Sequence, residues 1–144
     1  MDLQPYLLHP AAVHFPIALL LLGLAAGGIS KTAFAPAWNT QAVSWLLWLG
    51  TASAWLALGL GVVAQRTAPH VPLAWEVMEQ HRSLAWYSVT AFTLLSIWRF
   101  VWGRKLEWAF LCLWLVAAVL IVWTGLAGGR LVFEFGLGNL GDHR

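Results

Sequence analysis

Four apolar runs dominate this chain, and each is long enough to cross a bilayer. They cover roughly 7–29, 42–64, 84–102 and 108–127, and a hydrocarbon core needs about 20 residues of helix to span it. In lipid every backbone amide must find its partner within the protein, so such runs are helices. The links between them are short and hold turn residues: Pro36 and Asn39, then Pro69 and Pro72, then Gly103-Arg104-Lys105. Short links make consecutive helices antiparallel neighbours. The expected fold is all-α, a transmembrane four-helix bundle running up-down-up-down, with residues 1–144 as a single integral membrane domain. No internal repeat, low-complexity tract or second domain is evident in the sequence.

Composition agrees. Of 144 residues 60% are hydrophobic and 10% charged, where a soluble domain carries about a quarter charged. The 11 Trp fall largely near the ends of the runs, where indoles anchor helices at the headgroups. A net charge of +2 gives no ground for nucleic acid as a partner, and the lone Cys112 excludes an internal disulfide. The first run has no basic residue before it and carries His and Pro in its first turns, so it reads as a retained span rather than a signal peptide.

Loop charge gives an orientation. The face holding the first and third links has Lys31, Arg99, Arg104 and Lys105 against Glu107. The face holding both termini and the second link has Arg66, Arg82, Arg130 and Arg144 against Asp2, Glu76, Glu79, Glu134 and Asp142. Basic residues in short loops beside the spans weigh most. The expectation is therefore that the face holding the first and third links is cytoplasmic and that both termini lie outside.

The segment His9-Pro10-Ala11-Ala12-Val13-His14-Phe15-Pro16 opens the first span. Intramembrane histidines mark ligand, metal or proton sites by default. Pro10 suits a first helical turn. Pro16 cannot bond the carbonyl of Ala12, which predicts a kink. His9 and His14 lie about 140° apart around a helix, so they do not face one ligand together. Up-down topology brings His9, His14, His81, Arg82, Thr124, Gly125 and Arg130 to the face that holds the termini.

The strings HPAAVHFPIALLLLGL, HRSLAWYSVTAF and TGLAGGRLVFEFGLGN resemble a family of small four-span bacterial membrane proteins of unknown function. Its pattern is H-P-x-x-V-H-F-P, a later His opening the third helix, and a closing G-G-x-L-V-Y-x-x-G. The likeness covers nearly the whole chain, with Phe133 standing where the pattern has Tyr. It implies His9, His14, His81, Gly128 and Gly129 as functional residues. Members are similar to subunits found beside, or fused to, bacterial redox proteins, which implies an electron-transfer setting.

These residues lead to a specific expectation: haem b held by His14 and His81 as metal ligands on facing helices, near the outer face. His9 tunes the site. Gly59 and Gly61 on the second span and Gly125 on the fourth make room for a flat macrocycle, and Arg82 and Arg130 pair with its propionates. On this reading a leucine at Gly59 or Gly125 expels the ligand, while Gly50 and Ala54 serve helix packing. Quinol and a redox partner protein are the implied partners besides the lipid bilayer. Two other classes fit the residues: copper or zinc bound by His9, His14 and His81, and an accessory subunit of a larger respiratory or photosynthetic complex without its own cofactor. No Ser-His-Asp set and no facing carboxylate pair lies in any span, so independent covalent catalysis is not expected. His70 reads as a solvated loop residue and His143 as part of a polar tail.

Overall fold

A computed structural model describes residues 7–67, 71–103 and 107–137. His70, Arg104, Lys105 and His143 lie outside the described residues. The first span is broken into α1 (Leu8–Ala12) and α2 (His14–Ile29). Then come α3 (Asn39–Thr67), a 3-10 turn over Pro72–Ala74, α4 (Trp75–Val101) and α5 (Trp108–Phe133). Four helical segments are long and apolar enough to cross a membrane. All described elements are helical, and the fold is the expected all-α bundle.

The break in the first span falls where Pro16 removes an amide. Val13 lies between the two helices, and the Ile17 N to Val13 O distance is stretched to 3.5 Å. The third span begins well before the apolar run does. Glu76, Glu79 and Gln80 face outward on its first turns, while Val77 is buried against Ala74 and Leu131. An amphipathic lead-in of this kind has no uninterrupted apolar run, so hydropathy does not reveal it. Asn39 starts α3 three residues early because its Nδ2 donates to Ala26 O at 2.8 Å and to Ser30 Oγ at 2.8 Å. That ties the start of α3 to the end of α2.

The bundle is two antiparallel hairpins, α2 with α3 and α4 with α5, joined through α3–α4 and α2–α5 seams. They share one burial register. The buried positions of α2, namely Pro16, Leu20, Gly23 and Gly27, have buried counterparts in Ser88, Phe92, Leu95 and Arg99 at a constant step along the chain. Val43, Leu47, Gly50 and Ala54 of α3 match Phe110, Trp114, Ala117 and Ile121 of α5 in the same way. The main core, centred on Leu20, Leu47, Phe92 and Trp114, fills the half of the bundle away from the termini.

Arg99 departs from its expected place. It is not a loop cation but 3% exposed, with Nε donating to Ser44 Oγ at 3.1 Å and an amino group to Thr40 O at 3.2 Å. A guanidinium entering the bundle needs acceptors there, and the start of α3 supplies them.

A dihistidine cavity as candidate functional site

The half of the bundle nearer the termini encloses a cavity of about 460 Å³ reached by all four spans. Its lining is mostly apolar and includes small residues from three spans: Ala54 and Ala57 from α3, Ala85 from α4, Gly125 and Gly128 from α5. Such a cavity is within the size range of ligand sites.

Two imidazoles border it. His9 Nδ1 lies 2.9 Å from the carbonyl oxygen of Ala57. His81 Nδ1 lies 3.0 Å from that of Thr124. A carbonyl oxygen only accepts, so each Nδ1 carries the proton and donates. For a neutral ring this leaves a lone pair on Nε2, and no hydrogen-bond partner is found for either Nε2 among the described residues. The two ring centroids are 6.0 Å apart at an interplanar angle of 71°. Two acceptor nitrogens that border one space have nothing to offer each other. They suit a Lewis acid or a donor placed between them.

Each ring rests on a glycine. A Cβ on Gly61 would stand 3.0 Å from His9 Cε1, and one on Gly128 would stand 3.0 Å from His81 Cε1. Thr124 is itself held. Its Oγ1 donates to Leu120 O at 2.8 Å, so in the 3.0 Å pair with Ser88 the serine donates.

The expected ligand pair was His14 with His81, and the rings that stand together are His9 and His81. His14 lines the cavity but is exposed, beside Phe15 at 68% exposure, and no hydrogen bond is found for it among the described residues. The break at Val13 gives α1 its own packing against α3.

Gly125 lines the cavity. Gly59 does not: it is exposed, with nothing within 4 Å of a Cβ built there, and helical geometry turns Gly61 inward instead. Arg82 borders the cavity while its guanidinium lies 3.3 Å from Glu79. Arg130 is exposed and its Nε donates to both carboxylate oxygens of Glu134, at 3.0 and 3.2 Å. The two arginines do not converge on one ligand edge. Sequence reasoning missed the carbonyls of Ala57 and Thr124, since a main-chain acceptor leaves no trace in residue type.

The fold is that of a four-span helical membrane protein, with a cavity bordered by His9 and His81 in the half of the bundle nearer the termini. Residues 6–141 match the family described as Predicted membrane protein (DUF2231), and the chain belongs to that family. No curated protein and no solved structure matches it.

Proposed function

We propose that this chain is an electron-transfer subunit of the membrane that binds haem b between His9 and His81. The observation that carries the reading is the juxtaposition of two imidazoles, each with Nδ1 committed to a carbonyl and Nε2 left as an acceptor beside a mostly apolar cavity. The two ring centroids stand 6.0 Å apart.

The donor set also favours a metal that arrives with its other ligands in place. Among the described residues no group of three or more His, Cys, Asp or Glu stands together. Zinc and copper sites built by protein alone usually draw on three or four side chains. Haem would bring most of its iron's ligands with it and would need only the imidazoles of His9 and His81 from the protein. Bound there, it supplies a one-electron redox centre.

The chain's own part is to hold both rings, exclude water and keep the site within one leaflet. The carbonyls of Ala57 and Thr124 fix ring orientation and tautomer, as partners behind metal-ligating histidines commonly do. Arg82, already at the cavity edge, is the cation placed for a propionate. A quinol pool and a redox partner protein would supply and accept the electron. Lys31, with Arg104 and Lys105, puts the far face in the cytoplasm and both termini outside.

The test is a reduced-minus-oxidised spectrum of the purified protein supplied with haem. Sharp low-spin b-type bands are expected, lost in His9→Ala and in His81→Ala and retained in His14→Ala. A colourless protein, or bands that survive both substitutions, would sink the reading.

A further inference from the structure

We infer that the chain is a tandem repeat of one two-helix hairpin, and that each copy builds an equivalent half of the site from the same three parts. The parts are an imidazole in the N-terminal part of the first span, seven residues before a buried position of that span (Pro16 or Ser88), a carbonyl on the second span, and a glycine four residues beyond that carbonyl. In the first copy they are His9, Ala57 O and Gly61. In the second they are His81, Thr124 O and Gly128.

Three independent observations agree. The burial register repeats, as Leu20 with Phe92 and Leu47 with Trp114 show. The constant step that relates α2 to α4 carries His9 onto His81, and the step that relates α3 to α5 carries Ala57 onto Thr124 and Gly61 onto Gly128. The local geometry repeats too: Nδ1 to oxygen is 2.9 and 3.0 Å, and glycine Cβ to Cε1 is 3.0 Å in both. Most packing residues differ between the copies, whereas the histidine and the glycine are the same.

The topology turns this into a statement about the ligand. Each copy starts on the same membrane face, so the copies are related by an approximate two-fold axis along the membrane normal. His9 and His81 lie on either side of that axis. What binds between them meets two like groups in like geometry, which fits one metal centre that would be held by two equivalent nitrogens. It does not fit a ligand held by one donor and one acceptor.

Gly61 and Gly128 are then positioning residues. A methyl at either one stands at 3.0 Å from the ring, closer than ordinary van der Waals contact, so the ring has to give by a few tenths of an ångström, which displaces it relative to the carbonyl it bonds. Loss of such orienting support costs about 10–100-fold in metal affinity.

The ligand part of the inference rests on the haem reading, whereas the equivalence of the half-sites does not. The experiment is ¹⁵N NMR of histidine-labelled full-length protein in detergent, without haem, followed by haem titration. Both rings are expected to show a protonated Nδ1 and a bare Nε2. Gly61→Ala should move the His9 resonances alone and Gly128→Ala the His81 resonances alone. Each should lower haem affinity by a similar factor of about 10 or more. Gly59→Ala, which adds the same methyl on the open side of α3, should move neither ring. Unequal responses from the two glycine variants, or rings in different tautomers, would overturn the equivalence. Matching NMR responses in a protein that takes up no haem would leave the half-sites standing and remove the cofactor.

Discussion

His9 and His81 stand with ring centroids 6.0 Å apart, and each commits the same nitrogen, Nδ1, to a main-chain carbonyl of the next span. The bonds to Ala57 and Thr124 leave Nε2 of each neutral ring as an acceptor, on residues that line the cavity. Neither can satisfy the other. Histidines brought together within membrane-spanning helices mark a candidate functional site.

Glycines on α3 separate cavity from packing. Gly59 faces open space, whereas a Cβ on Gly50 would lie 2.7 Å from Leu20 Cγ and Cδ2. Gly59→Leu should leave stability within about 0.5 kcal/mol, as expected of an outward position. Gly50→Leu should cost about 1–3 kcal/mol through overpacking. Unfolding titrations of both variants from mild detergent into SDS check this. Equal losses would mean that Gly59 meets a neighbour after all.

At the opposite end, Arg99 leans on Ser44. Ser44→Ala takes one acceptor from a guanidinium that is 3% exposed. The expected loss is about 1–3 kcal/mol. In an Arg99→Met background the same change should cost much less, because the group it served is gone. A full-sized loss in that background would show that Ser44 acts through packing.

Much of this was legible in the sequence, and the rest was hidden for physical reasons. Four long apolar runs in water-poor surroundings leave helices as the one solution, so the bundle followed directly. Convergence of His9, His81, Thr124 and Gly128 on one face followed from up-down topology. The choice between His9 and His14 did not, since it depends on how far the break at Val13 turns α1, and local sequence predicts a break more readily than its angle. The repeat was hidden because Leu20 with Phe92 and Leu47 with Trp114 fill equivalent space with different shapes. Arg99 looked like a loop cation because its acceptors, Ser44 Oγ and Thr40 O, lie on another helix.

Orientation can be read with a reporter. The cations beside short links are Lys31, packed 5.7 Å from the Trp108 ring centre, and the neighbouring Arg104 and Lys105. They should hold that face in the cytoplasm. A C-terminal fusion should be active as an exported phosphatase and dark as a cytoplasmic fluorophore. The reverse pattern would place both termini inside and the cavity in the inner leaflet.

The break in the first span carries the last prediction. Pro16 has no amide proton for the carbonyl of Ala12, and the helix is interrupted at Val13 with Ile17 N stretched to 3.5 Å from Val13 O. The piece before the break, α1, bears His9 and packs on α3, whose Ala57 carbonyl receives its Nδ1 proton. Pro16→Ala returns the missing donor and lets α1 and α2 fuse into one straight helix. Alanine is favoured over proline by about 3 kcal/mol within a helix, so the variant should fold at least as well. Straightening turns His9 about the helix axis and draws it from Ala57 O, while His81 keeps its bond to Thr124 O. Haem affinity should therefore fall about tenfold or more with no loss of thermal stability, and the His9 ring resonances should move while those of His81 stay. An unchanged affinity would mean that packing of α1 on α3, rather than the proline break, sets the position of His9.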